Sequence, residues 1–77
     1  MPGKLTLRYD RIGDILYIDQ ISPYPAQESE EIGNEIIARL NPETGAIESL
    51  EILFFSRRMQ TQNFLELPIL AQLQLVS

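Results

Sequence analysis

Short runs of alternating residues, each closed by turn chemistry, recur at fairly even spacing along this chain, and such punctuation favours a meander of antiparallel strands. Leu5, Leu7 and Tyr9 alternate with Thr6, Arg8 and Asp10, the period of a half-buried strand. Asp10 through Gly13 supplies a tight connection, with Asp and Gly at its ends. Asp14 to Ile18 follows. Ile15, Leu16, Tyr17 and Ile18 are all apolar, as in a strand covered on both faces. Strand, short turn and strand make a β-hairpin.

Ser22-Pro23-Tyr24-Pro25 breaks the pattern, because two prolines remove backbone donors and favour an extended loop. Gln27 to Ile32 is nearly all polar and carries Glu28, Glu30 and Glu31. As a strand it belongs at a sheet edge, where charge blocks unwanted pairing. Gly33-Asn34 marks a turn, and Glu35 to Leu40 alternates again, with Ile36, Ala38 and Leu40 on one face. Asn41-Pro42-Glu43-Thr44-Gly45 is the strongest turn signal in the chain. Ala46 to Phe55 reads as the longest strand.

Ser56 changes the character. It reads as the N-cap of a short helix over Arg57 to Phe64, which Leu65-Glu66-Leu67-Pro68 ends. Arg57 and Arg58 in a first turn oppose the helix dipole. Beyond it, Gln72 and Gln74 alternate with Leu73 and Leu75, which predicts a final short strand, with a helix as the alternative.

A chain of 77 residues is one domain at most, spanning 1–77. It has no cysteine and no histidine, so nucleophile–imidazole pairs and zinc held by nitrogen or sulfur are excluded. Chemistry is left to carboxylates, hydroxyls, tyrosines, Lys4 and the arginines. No cofactor is expected, and an all-carboxylate magnesium or calcium site is the one metal chemistry still open. Net charge is −5, from 11 acidic and 6 basic residues. That balance disfavours nucleic acid, where phosphate neutralisation dominates affinity, and suits a basic protein partner. No apolar run approaches the roughly 20 residues of a membrane span. Met1-Pro2-Gly3-Lys4 leads straight into alternating residues without a signal-peptide apolar stretch. The expectation is a cytoplasmic protein that does not engage the membrane.

Several groups invite a functional reading beside a structural one. Asp10 and Asp14 flank one turn and pair two carboxylates, but turn formation explains them more simply. Tyr9, Tyr17 and Tyr24 suit either a ligand pocket or packing on a sheet. Glu51 between Leu50 and Ile52 is either a buried acid or a solvent-face partner of Arg8 or Arg39. Ser56, Arg57 and Arg58 fit an anion site or a capped turn with solvated arginines. The apolar 65–77 segment, with Leu65, Leu67, Ile69, Leu70, Leu73, Leu75 and Val76, packs back on the sheet or covers a second subunit.

Tyr9-Asp10, then Asp14-Ile15-Leu16-Tyr17-Ile18, then Gly45 through Leu53 and Ser56, resemble a family of small uncharacterised bacterial proteins, domain-of-unknown-function family 2283. The acidic Glu28-Ser29-Glu30-Glu31 stretch fits that family's third strand, and the resemblance runs to Arg58. It implies a small sheet-rich domain with no established activity. Some members are encoded beside small toxin-like proteins, so the resemblance also implies an antitoxin-like role.

The chain therefore reads as an α+β domain: a small antiparallel meander of about five strands with a short helix or turn near residue 56. The expected function is protein binding, as an interaction module, as the antitoxin-like partner of a small basic toxin, or as a homodimeric structural domain. An enzyme built on Asp10, Asp14 and Glu51 is the disfavoured alternative, and no catalytic, cofactor or metal residue is assigned. Candidate partner contacts are Glu28, Glu30, Glu31, Arg57 and Arg58. Candidate dimer contacts are Leu65, Leu67, Ile69, Leu73 and Leu75.

Overall fold

The structure, a computed structural model, describes residues 4–76. The reading of Met1-Pro2-Gly3 and the last residue of the 65–77 segment lie outside them. The elements are β1 (Thr6–Asp10), β2 (Ile15–Asp19), β3 (Glu28–Gly33), β4 (Ile36–Leu40), β5 (Ile47–Leu53) and α1 (Phe55–Thr61). Five antiparallel strands in one sheet and one short helix make the α+β fold expected from the sequence. Spatial order is β1-β2-β5-β4-β3. It follows the chain through β3, β4 and β5, and departs from it once, where β2 leads across to the far edge. The apolar β5 thereby takes the centre and the acidic β3 an edge.

Register sorts the side chains onto two faces. Leu16 and Ile36 both oppose Ile52, while Ile18 and Ala38 both oppose Leu50. On the same face Leu7 opposes Ile18 and Tyr9 opposes Leu16. Ile36, Ala38, Leu50 and Ile52 form the buried core, with Ala38 and Ile52 at 0% exposure. The opposite face carries Arg8, Tyr17, Glu51 and Arg39.

Two bulges interrupt the ladders. Glu31 opposes Ile37 and Gly33 opposes Ile36, so β3 carries Ile32 as an extra residue, and Ile32 packs on the core. Arg39 opposes Ser49 and Leu40 opposes Ile47, so Glu48 has no residue across from it. Bulges bend a strand and re-aim a side chain.

β5 stops at Leu53 because Phe54 takes a left-handed backbone, φ 55°. That conformation is unusual for a bulky residue. It turns the chain from strand to helix at once. The expected helix of Arg57 to Phe64 is corrected to Phe55–Thr61, with Phe54 and not Ser56 as the N-cap. After Gln62 returns to extended backbone, Leu65, Leu67 and Ile69 pack on the core beside Phe55. The predicted strand over Leu73 and Leu75 does not form: residues 70–76 carry no regular secondary structure and no strand pairs with them.

Candidate functional site

Three polar assemblies hold the chemistry-bearing side chains. The first joins the β1–β2 hairpin to α1. Asp10 Oδ1 accepts from Ile12 N and Gly13 N, both at 3.1 Å, which closes the hairpin as an Asx turn. Asp14, in left-handed backbone at φ 57°, then aims its carboxylate at the helix. Tyr9 Oη donates to its Oδ1 at 2.5 Å, Ser56 N at 2.9 Å, and Ser56 Oγ donates to Oδ2 at 2.9 Å. Phe55 N donates to the Asp14 carbonyl at 3.0 Å. A helix start attracts an anion, and here the anion is the protein's own. That replaces the cap that Phe54 lacks and offsets Arg57 and Arg58 in the same turn.

The hydrogen bond from Tyr9, then that from the Ser56 amide, hold the Asp14 carboxyl below its ordinary range. The same bond raises the Tyr9 hydroxyl. Both shifts run against acid–base work near neutral pH, because a weaker base and a weaker acid result.

The second assembly surrounds Glu48, which the β5 bulge leaves without a cross-strand partner and which is buried. Its Oε1 accepts from Tyr24 Oη at 2.6 Å and Gln27 Nε2 at 3.0 Å, and its Oε2 from Asn41 Nδ2 at 3.1 Å. Its carbonyl accepts from Gln20 N and Ile21 N. Glu48 thus ties the β2–β3 loop and the β4–β5 turn to the central strand. Tyr24 first, then Gln27, lower the Glu48 carboxyl, and the same bond pushes Tyr24 up to about 12. Gln27 Oε1 is buried with no hydrogen-bond partner among the described residues.

The third assembly lies on the face opposite the core. Arg8 Nε donates to Asp19 at 3.0 Å, and its guanidinium stacks 4.2 Å from the centre of the Tyr17 ring. Ser49 Oγ donates to the other Asp19 oxygen. Arg39 Nε donates to Glu51 at 2.7 Å, one of the two pairings that strand alternation offers. A shallow polar recess beside it is lined by Lys4, Thr6, Arg8, Asp19, Gln20, Ser22 and Pro23.

Asp10, Asp14 and Glu51 do not converge: the first two serve the hairpin and helix, and the third pairs with Arg39 on the face opposite the core. Tyr9, Tyr17 and Tyr24 are likewise split among the three assemblies. Arg58 is held internally, its Nε donating to the Leu53 carbonyl at 3.0 Å and its guanidinium also reaching the Asn34 carbonyl. Arg57 lies over the Phe54 ring at 5.0 Å. Among the described residues no three Asp or Glu side chains gather as a metal ligand set.

Sequence reasoning missed the Glu48 assembly and the Asp19–Ser49 bond. A signal was present for Glu48, which shares the parity of Leu50 and Ile52 on an otherwise buried strand. A carboxylate in that register needs hydrogen-bond donors nearby.

What remains open on the surface are the edges. β3 exposes Glu28, Glu30 and Glu31, and among the described residues the ion pairs are Arg8–Asp19 and Arg39–Glu51, neither of which involves β3. β1 exposes every residue along its length. Leu70, Leu73 and Leu75 stand in solvent. Among the described residues no helix is long and apolar enough to cross a membrane.

The fold and its assemblies define a small antiparallel-sheet domain in which internal carboxylates clasp loops and a helix to the strands. A scan of protein families matches residues 6–56 to the family described as "Protein of unknown function (DUF2283)", and the chain belongs to it. The match begins at β1 and ends at Ser56, so it contains the whole sheet and both ends of the Asp14–Ser56 contact. No curated protein and no solved structure matches the chain.

Proposed function

We propose that this chain is a protein-interaction module whose β3 edge receives a basic protein partner. One observation carries the reading: three exposed carboxylates, Glu28, Glu30 and Glu31, sit on an edge strand with no cation paired to them among the described residues. Elsewhere on the sheet Asp19 and Glu51 each have an arginine. An open edge offers backbone hydrogen bonds to an added strand, and the carboxylates favour a partner bearing Lys or Arg. The net charge of −5 steers the same partner from a distance. The antitoxin-like form of this reading makes that partner a small basic toxin and draws on the family resemblance alone. Binding in the cytoplasm, without catalysis, nucleic acid or membrane, is the rest of the proposal.

Affinity capture from the native cell at low salt tests it, comparing the parent chain with a Glu28→Gln, Glu30→Gln, Glu31→Gln variant. The parent should retain one small basic protein at equal stoichiometry, released by salt, and the variant should lose it. Identical captures by both chains, or none by either, would overturn the reading.

A second reading, self-association, has its own observation. Leu70 and Leu75 are fully exposed and Leu73 is 84% exposed. Clustered exposed leucines are uncommon on a monomer.

A further inference from the structure

Residues 70–76 have the form of an unpaired strand. They are uncharged, they lack secondary structure, and Leu73 and Leu75 alternate with Gln72 and Gln74. An edge that accepts them must offer free backbone groups, an apolar face for the leucines and a polar face for the glutamines.

The two edges of the sheet differ in this respect. Along β1 the core-side face shows Leu7 and Tyr9, 61% and 45% exposed, while the other face carries Thr6, Arg8 and Asp10. A strand added there continues both faces. Along β3 the core-side positions opposite Leu40 and Ala38 are Glu28 and Glu30, which would meet the leucines with carboxylates, and a bulge breaks the edge at Ile32. The segment therefore matches β1 and mismatches β3.

It does not reach its own β1. The chain enters residues 70–76 from Pro68, which lies against Gly33 at the end of β3, the edge opposite β1. Four strand spacings separate the edges, about 19 Å at about 4.8 Å each. Residues 70–76 at about 3.3 Å apiece span about 23 Å, so the crossing leaves about one residue to pair.

We infer that residues 70–76 of one copy add as a strand to the β1 edge of a second copy, and that the exchange is reciprocal. A reciprocal exchange closes a symmetric pair and leaves β3 free for a different partner. The inference rests on the self-association reading and specifies its route.

Light scattering over a wide concentration range, with amide hydrogen exchange on the same samples, tests it on three chains. These are the parent, a chain ended after Ile69, and a full-length Leu73→Glu, Leu75→Glu variant whose changes fall on exposed positions. The parent should show twice the chain mass of 8.8 kDa, and both altered chains a single mass. Amides of β1 should exchange at least ten-fold more slowly in the parent than in either altered chain, with β3 unchanged. A parent that stays monomeric would sink both the self-association reading and this route. A dimer that persists in the altered chains, or protection that falls on β3, would overturn the route and leave self-association standing.

Discussion

The Asp14 carboxylate caps a helix through a residue 42 positions further along the chain, accepting from both the amide and the hydroxyl of Ser56 at 2.9 Å. The contact converts a local hairpin feature into a tertiary one. It fixes where β5 ends, because the αL turn at Phe54 is held between the Asp14 carbonyl and the first turn of α1.

Asp14→Asn and Ser56→Ala should each lower the melting temperature, and the double variant should lose less than the sum of the two. Additive losses in that cycle would show that the two residues act separately. The contact also has a pH signature. Asp14 is held below its ordinary 3.8 by the Tyr9 hydrogen bond above all, so its contribution is full above that value. The contribution is lost as pH falls through the lower folded value. The melting-temperature gap between the parent and Asp14→Asn should therefore close under acid, and a gap unchanged down to strongly acid pH would contradict the assignment.

Tyr24 gives the opposite sign. Its proton is held in the folded state up to about 12, against an ordinary 10.0, by the bond to Glu48. Stability from that bond is full below pH 10 and declines as pH rises from there toward about 12. Tyr24→Phe should remove the most alkaline step from the phenolate absorbance titration and flatten the alkaline loss of stability. Disappearance of an ordinary step near pH 10 in that variant would place Tyr24 outside the Glu48 assembly.

Ile52 has neighbours on both flanking strands and no exposure. Ile52→Ala should cost about 2–5 kcal/mol, a large part of the stability of so small a sheet. Leu73→Ala, on an exposed position, should stay within about 0.5 kcal/mol in dilute solution. Urea unfolding of both variants checks the contrast, which equal losses would refute.

Two turn glycines should respond for different reasons. Gly45 has φ 75° and open space around it, so Gly45→Ala meets only backbone strain, about 1–2 kcal/mol. A Cβ on Gly13 would lie 2.7 Å from Asp10 Oδ2, whose carboxylate is already engaged by the turn amides. Gly13→Ala should therefore disturb the Asx turn, and Asp10→Ala in the same chain should relieve the clash while losing the turn bonds. If Gly13→Ala costs as much in the Asp10→Ala background as alone, the clash is not its cause.

How much of this was legible in the residues follows from the range of the interactions. Period two placed strands, since alternation is a local consequence of the pleat, and it put Ile36, Ala38 and Leu40 on one face. The Arg39–Glu51 pair was within reach because β4 and β5 are joined by one strong turn. The position of β5 between β2 and β4 was not, because nothing local to β2 says that its partners come 30 or more residues later. The helix start was misplaced for the same reason: Phe54 holds the N-cap position with no side-chain bond, and the capping carboxylate comes from the hairpin at Asp14. Residues 70–76 alternate like a strand yet stay unpaired in this chain, since alternation supplies a strand's faces and not its neighbour.

The central functional claim concerns the acidic edge, and amide hydrogen exchange with and without the captured basic protein tests it most directly. Exchange at Glu28–Gly33 should slow on binding while β1 keeps the rates of the free chain. Slowing confined to β1, or to no strand of the sheet, would contradict the account.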